Sequence, residues 1–303
     1  MDILLNQAHS FILMGQRSNQ EDCRYPDTDQ PRADQRFFIV CDGVGGEACG
    51  EVASHTVCQA MSQELSHHDW KQDLTNTEFG RALDAAYNAL DAKAAGREQM
   101  ATTLTLAAFH GGGMTLAHIG DSRIYHIRPA EGIIYRSDDH SMVNTLVHNG
   151  LLTPEQASVD PRRNIITRYM SPTAADQTRC MATVLHTADV LPHDVVLLCS
   201  DGVLQNIDDE QLLDMVSSAS NDRDILEHIK DRCSNNLDNC TATMIRIGQV
   251  NGCLDSPSRP ADATAHDTAV VNHNEVGVVN IASNHRPASR SLSAALRRML
   301  HWN

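Results

Sequence analysis

The sequence predicts an α+β fold in which antiparallel strands and helices form separate layers. Apolar runs rich in β-formers come in pairs joined by short turns, at 103–120 and 122–137, as expected for hairpins. Helical spacing of apolar residues is confined to other blocks, at 50–65, 77–95, 208–217 and 222–233. This separation favours α+β layers over alternating βαβ units.

The first third of the chain contains two strand patterns and two helix patterns. Residues 9–15 and 37–42 have strand-like sequences, and the polar, Pro-containing stretch between them is typical of a loop. From Gly50 onward, apolar residues recur at spacings of three and four, which predicts a helix. Residues 77–95 repeat that spacing and predict a second helix.

The rest of the domain adds strands around a mixed segment. Residues 141–186 combine a short helix at 142–148 with a helix start at Pro154, since Pro is favoured in a first helical turn. Residues 194–201 and 241–247 have the apolar pattern of strands. We therefore expect one domain over residues 1–248.

The sequence changes character after Gly248. Residues 249–290 are rich in Asn, Ser, Pro, Ala and His, with little apolar periodicity, which predicts a flexible linker. Residues 291–303 place apolar side chains on one helical face and predict a short amphipathic helix. That helix could bind a partner or an anionic membrane surface, or it could dock on its own domain or fray in solvent.

Composition excludes some classes of protein. The formal net charge of −15 repels phosphate backbones and argues against nucleic-acid binding. Any phosphate-bearing substrate then needs a local positive charge, from a metal ion or an arginine. Nine Cys without a CxxC pair indicate free thiols in a reducing cytoplasm, and no apolar run is long enough to predict a transmembrane segment.

Two apolar runs end on the same acidic turn. In FIVCDGV (38–44) the apolar run is followed by Asp42 and Gly43, and in LLCSDGV (197–203) it is followed by Asp201 and Gly202. A buried strand holds such a carboxylate in place, and the adjacent Gly allows a sharp turn that exposes a carbonyl oxygen. Carboxylate and carbonyl oxygens are the ligands that Mg²⁺ and Mn²⁺ prefer.

Other acidic residues occupy similar junctions. Asp121 lies in a Gly-Asp turn, Asp238 precedes the last strand, and Glu21 and Asp22 follow the first strand. Each one alone is ordinary turn chemistry. Together they predict a cluster of carboxylates that repel one another unless divalent cations lie between them, and two such cations can activate water against a phosphoryl group.

The order of the motifs resembles that of the metal-dependent (type 2C, PPM) protein serine/threonine phosphatases, in the style of the bacterial branch. The resemblance covers roughly residues 9–248. It is carried by Arg17 with NQED (19–22), DGVGG (42–46), GEVAS (50–54), TTL (102–104), GDSR (120–123), DHS (139–141), RNIITR (163–168), SDG (200–202) and DNCT (238–241).

The resemblance implies a fold and a pair of core metal ions. The fold would be a four-layer α/β/β/α sandwich of two antiparallel sheets flanked by helices. Asp42 would bridge two Mn²⁺ or Mg²⁺ ions, with Asp201 and Asp238 on the first ion. The Gly43 carbonyl and Glu21, the latter largely through water, would serve the second ion.

The resemblance also implies the remaining site residues. Asp121, together with Asp201, would form a weaker third metal site. Asp22 would orient metal-bound water, and Arg17 would grip the substrate phosphate with its guanidinium fork. Val44 stands where many eukaryotic members carry a His that is proposed as general acid, so the donor of the leaving-group proton stays unassigned and water on a metal is the default.

The implied activity is hydrolysis of phosphoserine and phosphothreonine in proteins, by a monomer that opposes a Ser/Thr kinase in bacterial signalling. Residues 142–185 correspond to the flap, the segment expected to select substrates. His140 is expected to have a hydrogen-bonded structural role, and Cys41 and Cys199 to be core residues. Two alternatives remain open: an inactive binding module on the same fold, and a phosphatase of small phosphorylated molecules.

Overall fold

The computed structural model describes residues 1–44, 49–94, 100–173, 178–218, 221–252 and 275–278. The described helices are α1 (Cys49–Leu65), α2 (Asn76–Lys93), α3 (Met142–His148), α4 (Pro154–Val159), α5 (Asp201–Leu204), α6 (Asp209–Ser218) and α7 (Asp222–Cys233). The described strands are β1 (Asp2–Leu5), β2 (His9–Leu13), β3 (Asp22–Tyr25), β4 (Phe37–Val44), β5 (Ala101–Thr102), β6 (Leu104–His110), β7 (Gly113–Ile119), β8 (Arg123–Arg128), β9 (Gly132–Arg136), β10 (Thr183–Thr187), β11 (Val195–Cys199), β12 (Cys240–Asn251) and β13 (Glu275–Val278).

These strands form two antiparallel sheets within the described part of the chain. One sheet has the order β1-β12-β11-β8-β9, with β2 also paired to β12. The other has the order β13-β10-β7-β6-β4-β3, with β5 also paired to β4. β4, which ends in Asp42-Gly43-Val44, therefore belongs to the second sheet, and β11, which precedes the Asp201-Gly202-Val203 turn, belongs to the first.

Three apolar clusters hold four layers together. Side chains from both sheets, including Val40 and Leu198, interdigitate between them. The outer face of the β4 sheet packs on α1 and α2 through residues such as Met61 and Leu83. The outer face of the β11 sheet packs on α5, α6 and α7, with Ile229 among the contacts. The predicted four-layer α/β/β/α sandwich is confirmed.

Local sequence signals set the helix starts. Thr75 caps α2, because its hydroxyl accepts the Glu78 N–H while the Glu78 carboxylate accepts the Thr75 N–H. Thr153 and Gln156 form the same reciprocal pair at α4, with Pro154 in the first turn as predicted. The predicted short helix at 142–148 is also present as α3.

Five of the described strands are not predicted by the sequence patterns. β1, β5 and β10 lie outside the predicted strands, β3 lies inside the stretch predicted as a loop, and β13 lies inside the predicted linker. β3 carries polar residues that are buried: Arg24 donates hydrogen bonds to Ser10 and Asp29, and Asp22 is 1% exposed. Because these buried residues are polar, the strand lacks the apolar alternation that predicts a strand from sequence, and only its tertiary contacts identify it.

The end of the chain differs in part from the predicted linker. β12 continues to Asn251, three residues past the expected boundary, because its outer residues pair with β1. Residues 275–278 form β13 against β10. The rest of the predicted linker and the helix predicted at 291–303 lie outside the described residues. Among the described helices, none combines the length and the apolar character needed to cross a membrane.

Candidate active site

Asp42 is fixed by strands on both of its sides. β3 pairs with β4 so that Asp22 lies opposite Asp42. The Asp42 N–H donates to Thr103 Oγ1 at 2.9 Å, and the Asp42 carbonyl accepts the Thr102 hydroxyl at 2.9 Å and the Thr103 N–H at 2.8 Å. The carboxylate therefore projects from a backbone whose polar groups are already satisfied.

Ser200 joins the two sheets at this edge. Its hydroxyl donates to Asp22 Oδ2 at 2.8 Å and accepts the Thr241 N–H at 2.9 Å. Ser200 is also the N-terminal cap position of α5, so Asp201 is the first residue of that helix. Asp22 from one sheet and Asp201 from the other are thereby held at the same end of the sandwich.

The carboxylates at this edge raise one another's pKa. Burial, followed by the charges of Asp22, Asp201 and Asp121, raises the pKa of Asp42 well above its ordinary value. Burial and the Asp238 charge raise the pKa of Asp201, partly offset by a hydrogen bond from Asp42. Asp42 and Asp201 therefore lie close enough for the charge of each carboxyl to disfavour ionisation of the other.

Asp22 and Asp121 behave in the same way. Burial, then the charges of Asp201 and Asp238, raises the pKa of Asp22 to about 7 despite the hydrogen bond from Ser200. Burial and the charge of Asp201 raise the pKa of Asp121 to about 7. Asp22 Oδ1 is buried, and no described residue is its hydrogen-bond partner.

The two Asp-Gly glycines are required for different close approaches. A Cβ on Gly43 would lie 2.4 Å from the Gly50 backbone, and the Gly43 N–H donates to the Glu21 carbonyl at 3.0 Å. A Cβ on Gly202 would lie 2.0 Å from the Asn239 carbonyl oxygen. Besides allowing the predicted turn, Gly202 therefore leaves room for the DNCT segment beside α5.

Arg17 and Asp238 form an ion pair at the rim of the site. Arg17 Nη2 donates to Asp238 Oδ2 at 2.8 Å, and the two side chains are 48% and 26% exposed. Glu21 lies near them, and burial, outweighing the nearby Arg17 charge, raises the pKa of its carboxyl. The structure thus brings every predicted acidic residue to one edge, with the one predicted arginine at its mouth.

Asn239 organises this rim, although it is not among the site residues predicted from sequence. Its side-chain amide donates to the Met14 and Asn19 carbonyls at 2.8 and 3.0 Å, and its Oδ1 accepts the Glu21 N–H at 2.8 Å. Asn239 is 3% exposed, so a buried amide holds the loop that carries Arg17 in place. Its place in the DNCT motif was the only available signal.

The set of oxygen donors suits divalent cations. Carboxylates from both sheets and the Gly43 carbonyl are hard ligands of the type that Mg²⁺ and Mn²⁺ take. Burial and mutual repulsion raise the pKa values of these carboxyls, and the buried Asp22 Oδ1 has no hydrogen-bond partner among the described residues, so both features favour binding of a cation. Nevertheless, no three His, Cys, Asp or Glu side chains of the described residues are already placed to hold a metal ion. Asp238 instead faces Arg17, and Asp22 faces Ser200.

Neighbouring residues have structural positions. Cys41 and Cys199 are both fully buried beside the acidic turns, which agrees with the expectation of core residues. His140 has hydrogen bonds through its ring and its backbone. The predicted flap, residues 142–185, contains α3 and α4 and contacts the domain through the bridges Thr102↔Met170 and Ser141↔Ile166.

Comparisons with known proteins agree with this architecture. Residues 16–242 match the sequence model of the family described as Protein phosphatase 2C. Serine/threonine protein phosphatase PstP of Mycobacterium tuberculosis is 36% identical over 205 residues, which are 65% of this chain and 36% of that protein. Protein phosphatase PhpP of Streptococcus pneumoniae is 31% identical over 243 residues, which are 77% of this chain and 94% of that protein.

A solved structure shares the fold and contains metal. The catalytic domain of serine/threonine protein phosphatase PstP in complex with two manganese ions is 28% identical, with a TM-score of 0.65. The match covers 82% of this chain and 100% of that one. By contrast, the chain spans only about a third of the full-length PstP relative.

Proposed function

The chain belongs to the protein phosphatase 2C family, and we propose that it is a metal-dependent phosphatase that hydrolyses phosphoserine and phosphothreonine in proteins. The resemblance inferred from the order of the motifs is confirmed by the family match over residues 16–242. The relatives PstP and PhpP are both named protein phosphatases. The proposal for this chain rests on the chemistry of its own site.

One observation carries the proposal: buried carboxylates positioned by both sheets meet at one edge of the sandwich. The pKa values of Asp22, Asp42, Asp121 and Asp201 are all raised, first by burial and then by their mutual repulsion. A folded domain tolerates such a cluster when a divalent cation binds there. An inactive binding module on this fold would be expected to lack some of these acids, and this chain has all of them.

We assign the metal ligands as predicted from sequence. Asp42 would bridge two Mn²⁺ or Mg²⁺ ions, with Asp201 and Asp238 on one ion and Gly43 and Glu21 on the other. When bound, the two cations would lower the pKa of water and offset the charge of the phosphoryl group.

Asp121 would complete a weaker third site with Asp201. The raised pKa values of both carboxyls, for which burial is the first cause, support a cation between them.

The other site residues bind and orient the reactants. Arg17 is exposed at the mouth and would exchange Asp238 for two oxygens of the substrate phosphate, since a guanidinium fork matches that geometry. Asp22 would orient the attacking water through Oδ1, the oxygen that has no partner among the described residues. Val44 has no proton to give, so we propose that water protonates the leaving oxygen.

We further propose a cytoplasmic monomer that acts on phosphoproteins and opposes a Ser/Thr kinase. The eight described cysteines are all free thiols, which supports a reducing compartment. The net charge of −15 supports the expectation that nucleic acid is not a ligand.

The test compares two substrates with and without metal. Purified full chain is incubated with p-nitrophenyl phosphate or a phosphothreonine peptide, with Mn²⁺, with Mg²⁺, or with a chelator. We expect turnover of both substrates that depends on the cation, with a higher kcat/KM for the peptide. No cation-dependent turnover of either substrate would contradict the proposal, and a preference for small phosphorylated molecules would favour the alternative of a small-molecule phosphatase.

A further inference from the structure

His140 lies where the turn before Asp121 meets the flap. Two hydrogen bonds join it to Gly120: the His140 N–H donates to the Gly120 carbonyl at 2.9 Å, and the Gly120 N–H donates to His140 Nδ1 at 3.1 Å. Gly120 has a φ of 109°, a conformation that other residues rarely adopt. A Cβ at position 120 would also lie 2.6 Å from Thr103 Cγ2. The turn is therefore confined by Thr103 as well as by its hydrogen bonds to His140.

The ring of His140 is fixed at both nitrogens and on one face. Because Nδ1 accepts the Gly120 N–H, the single proton of the neutral ring is on Nε2, which donates to Thr183 Oγ1 at 3.0 Å. The His118 ring stacks on it, with centroids 4.5 Å apart and planes inclined by 17°. His118 is itself 1% exposed and donates from Nε2 to the Asp138 carbonyl.

The carbonyl of His140 holds the flap. It accepts the Thr167 N–H at 2.7 Å and the Thr167 hydroxyl at 2.9 Å. The next residue, Ser141, bridges to Ile166. The preceding residue, Asp139, accepts two hydrogen bonds of 2.7 Å from Arg123, which follows the Asp121 turn. Flap and turn therefore share one anchor at residues 139–141.

We propose that His140 is a positioning residue, which fixes the turn that presents Asp121 and thereby sets the affinity of the weakest Mn²⁺ site. This inference rests on the proposed function, because it takes Asp121 as a metal ligand. The part of His140 that matters is Nδ1, which holds Gly120. The contact from Nε2 to Thr183 anchors the ring in β10 without touching the turn.

The two ends of the ring can be separated by substitution. His140→Asn retains an acceptor near the position of Nδ1, whereas His140→Gln places its polar group near the position of Nε2. Thr183→Val is the matched control, because it removes only the partner of Nε2. Asp121→Asn supplies the reference for loss of the weakest site.

The measurement is calorimetric titration of Mn²⁺ into each full-length variant, with thermal unfolding to verify that it is folded. We expect His140→Gln to weaken the weakest binding step roughly tenfold, the lower end of the loss typical for removing a residue that orients a ligand. His140→Asn and Thr183→Val should bind that ion as the wild type does. Rescue by Asn would not occur if His140 served general stability alone.

Each outcome decides something. Equal affinity of His140→Gln and wild type for the weakest ion would overturn the inference, and so would an equal loss in His140→Gln and His140→Asn. If His140→Gln does not fold, weakened binding in folded His140→Asn or Thr183→Val would overturn it, and retained binding in both would support it. If wild type shows neither Mn²⁺ binding nor Mn²⁺-dependent turnover, the proposed function fails first, and the inference falls with it.

Discussion

The buried carboxyl of Asp194 and the buried carboxyls of the candidate active site have pKa values shifted in opposite directions. Asp194 is fully buried, and it accepts hydrogen bonds from His126 Nε2 at 2.8 Å, from Arg128 Nε at 2.9 Å and from the Leu191 N–H at 2.9 Å. Burial acts to raise its pKa, but these donors outweigh burial and the pKa is lowered. At the candidate active site the carboxyls meet mainly other carboxyls, and their pKa values are raised.

The difference separates a structural site from a functional one. The charge on Asp194 is neutralised by the protein itself, so that cluster is complete once the chain folds. At the proposed metal site, the charges on Asp42 and Asp201 would be offset by a cation from outside the chain, so that site would be complete only when the cation binds. Removing one carboxylate should therefore have opposite consequences at the two sites.

Asp42→Asn should cause the largest effect, and on activity. Loss of the bridging carboxylate should lower Mn²⁺-dependent kcat/KM by at least about a thousandfold, equivalent to about 4 kcal/mol. The metal-free variant should unfold at the same temperature as wild type or a higher one, because a repelling charge is gone. Turnover of p-nitrophenyl phosphate and thermal unfolding in chelator are the measurements. Retained activity would mean that the metal assignment is wrong.

Asp194→Asn should act on stability instead. Arg128 would lose its buried counter-charge, which typically costs about 3–5 kcal/mol of unfolding free energy. Denaturant unfolding of the metal-free protein measures this loss. The comparison fails if Asp194→Asn is as stable as wild type, or if its folded fraction has lost activity as severely as Asp42→Asn.

The stabilisation of the folded protein by Mn²⁺ should depend on pH, because the active-site carboxyls have raised pKa values. In the metal-free protein the folded-state pKa values of Asp22 and Asp121 are raised from 3.8 to about 7, chiefly by burial, so the folded state binds more protons than the unfolded chain between those values. The associated stability is present at low pH and is lost as pH rises through about 7. Mn²⁺ binds the deprotonated carboxyls, so its stabilisation should be larger at pH 7.5 than at pH 5.5. At a hundred times Kd it should approach about 2.7 kcal/mol.

Thermal unfolding with and without Mn²⁺ at the two pH values makes this comparison, and Asp42→Asn is the control with a reduced Mn²⁺ effect. Equal stabilisation by Mn²⁺ at both pH values would contradict the expectation.

Arg17→Ala should have only a small effect on stability. Its ion pair with Asp238 is exposed, so the unfolding free energy should change by no more than about 1 kcal/mol. The kcat/KM for a phosphothreonine peptide should still fall by about ten- to a hundredfold, because charged hydrogen bonds to phosphate are lost. Steady-state kinetics and denaturant unfolding of the variant and wild type test both parts. A stability loss like that of Asp194→Asn would remove the distinction between exposed and buried pairs.

Sequence patterns predicted most elements because those elements bury apolar side chains with a regular period. Strand β11 and helix α2 are examples, and both match their predicted positions within two residues. β3 was missed because its buried residues include Asp22 and Arg24, whose partners lie elsewhere in the chain. Asn239 was missed because a side chain that brackets three backbone groups has no local signature.

The sequence by itself determined the family, the α+β class and the identity of the acidic residues, because motifs and periodicity are properties of the chain. Only the tertiary structure decided that Asp42 and Asp201 meet, since β4 and β11 belong to different sheets and their ends approach only when the sheets pack. It also decided which carboxylates are neutralised from within. Asp194 lies beside Arg128, whereas Asp42 lies beside another carboxyl, Asp201. These neighbours are distant in sequence, so no local pattern predicts them.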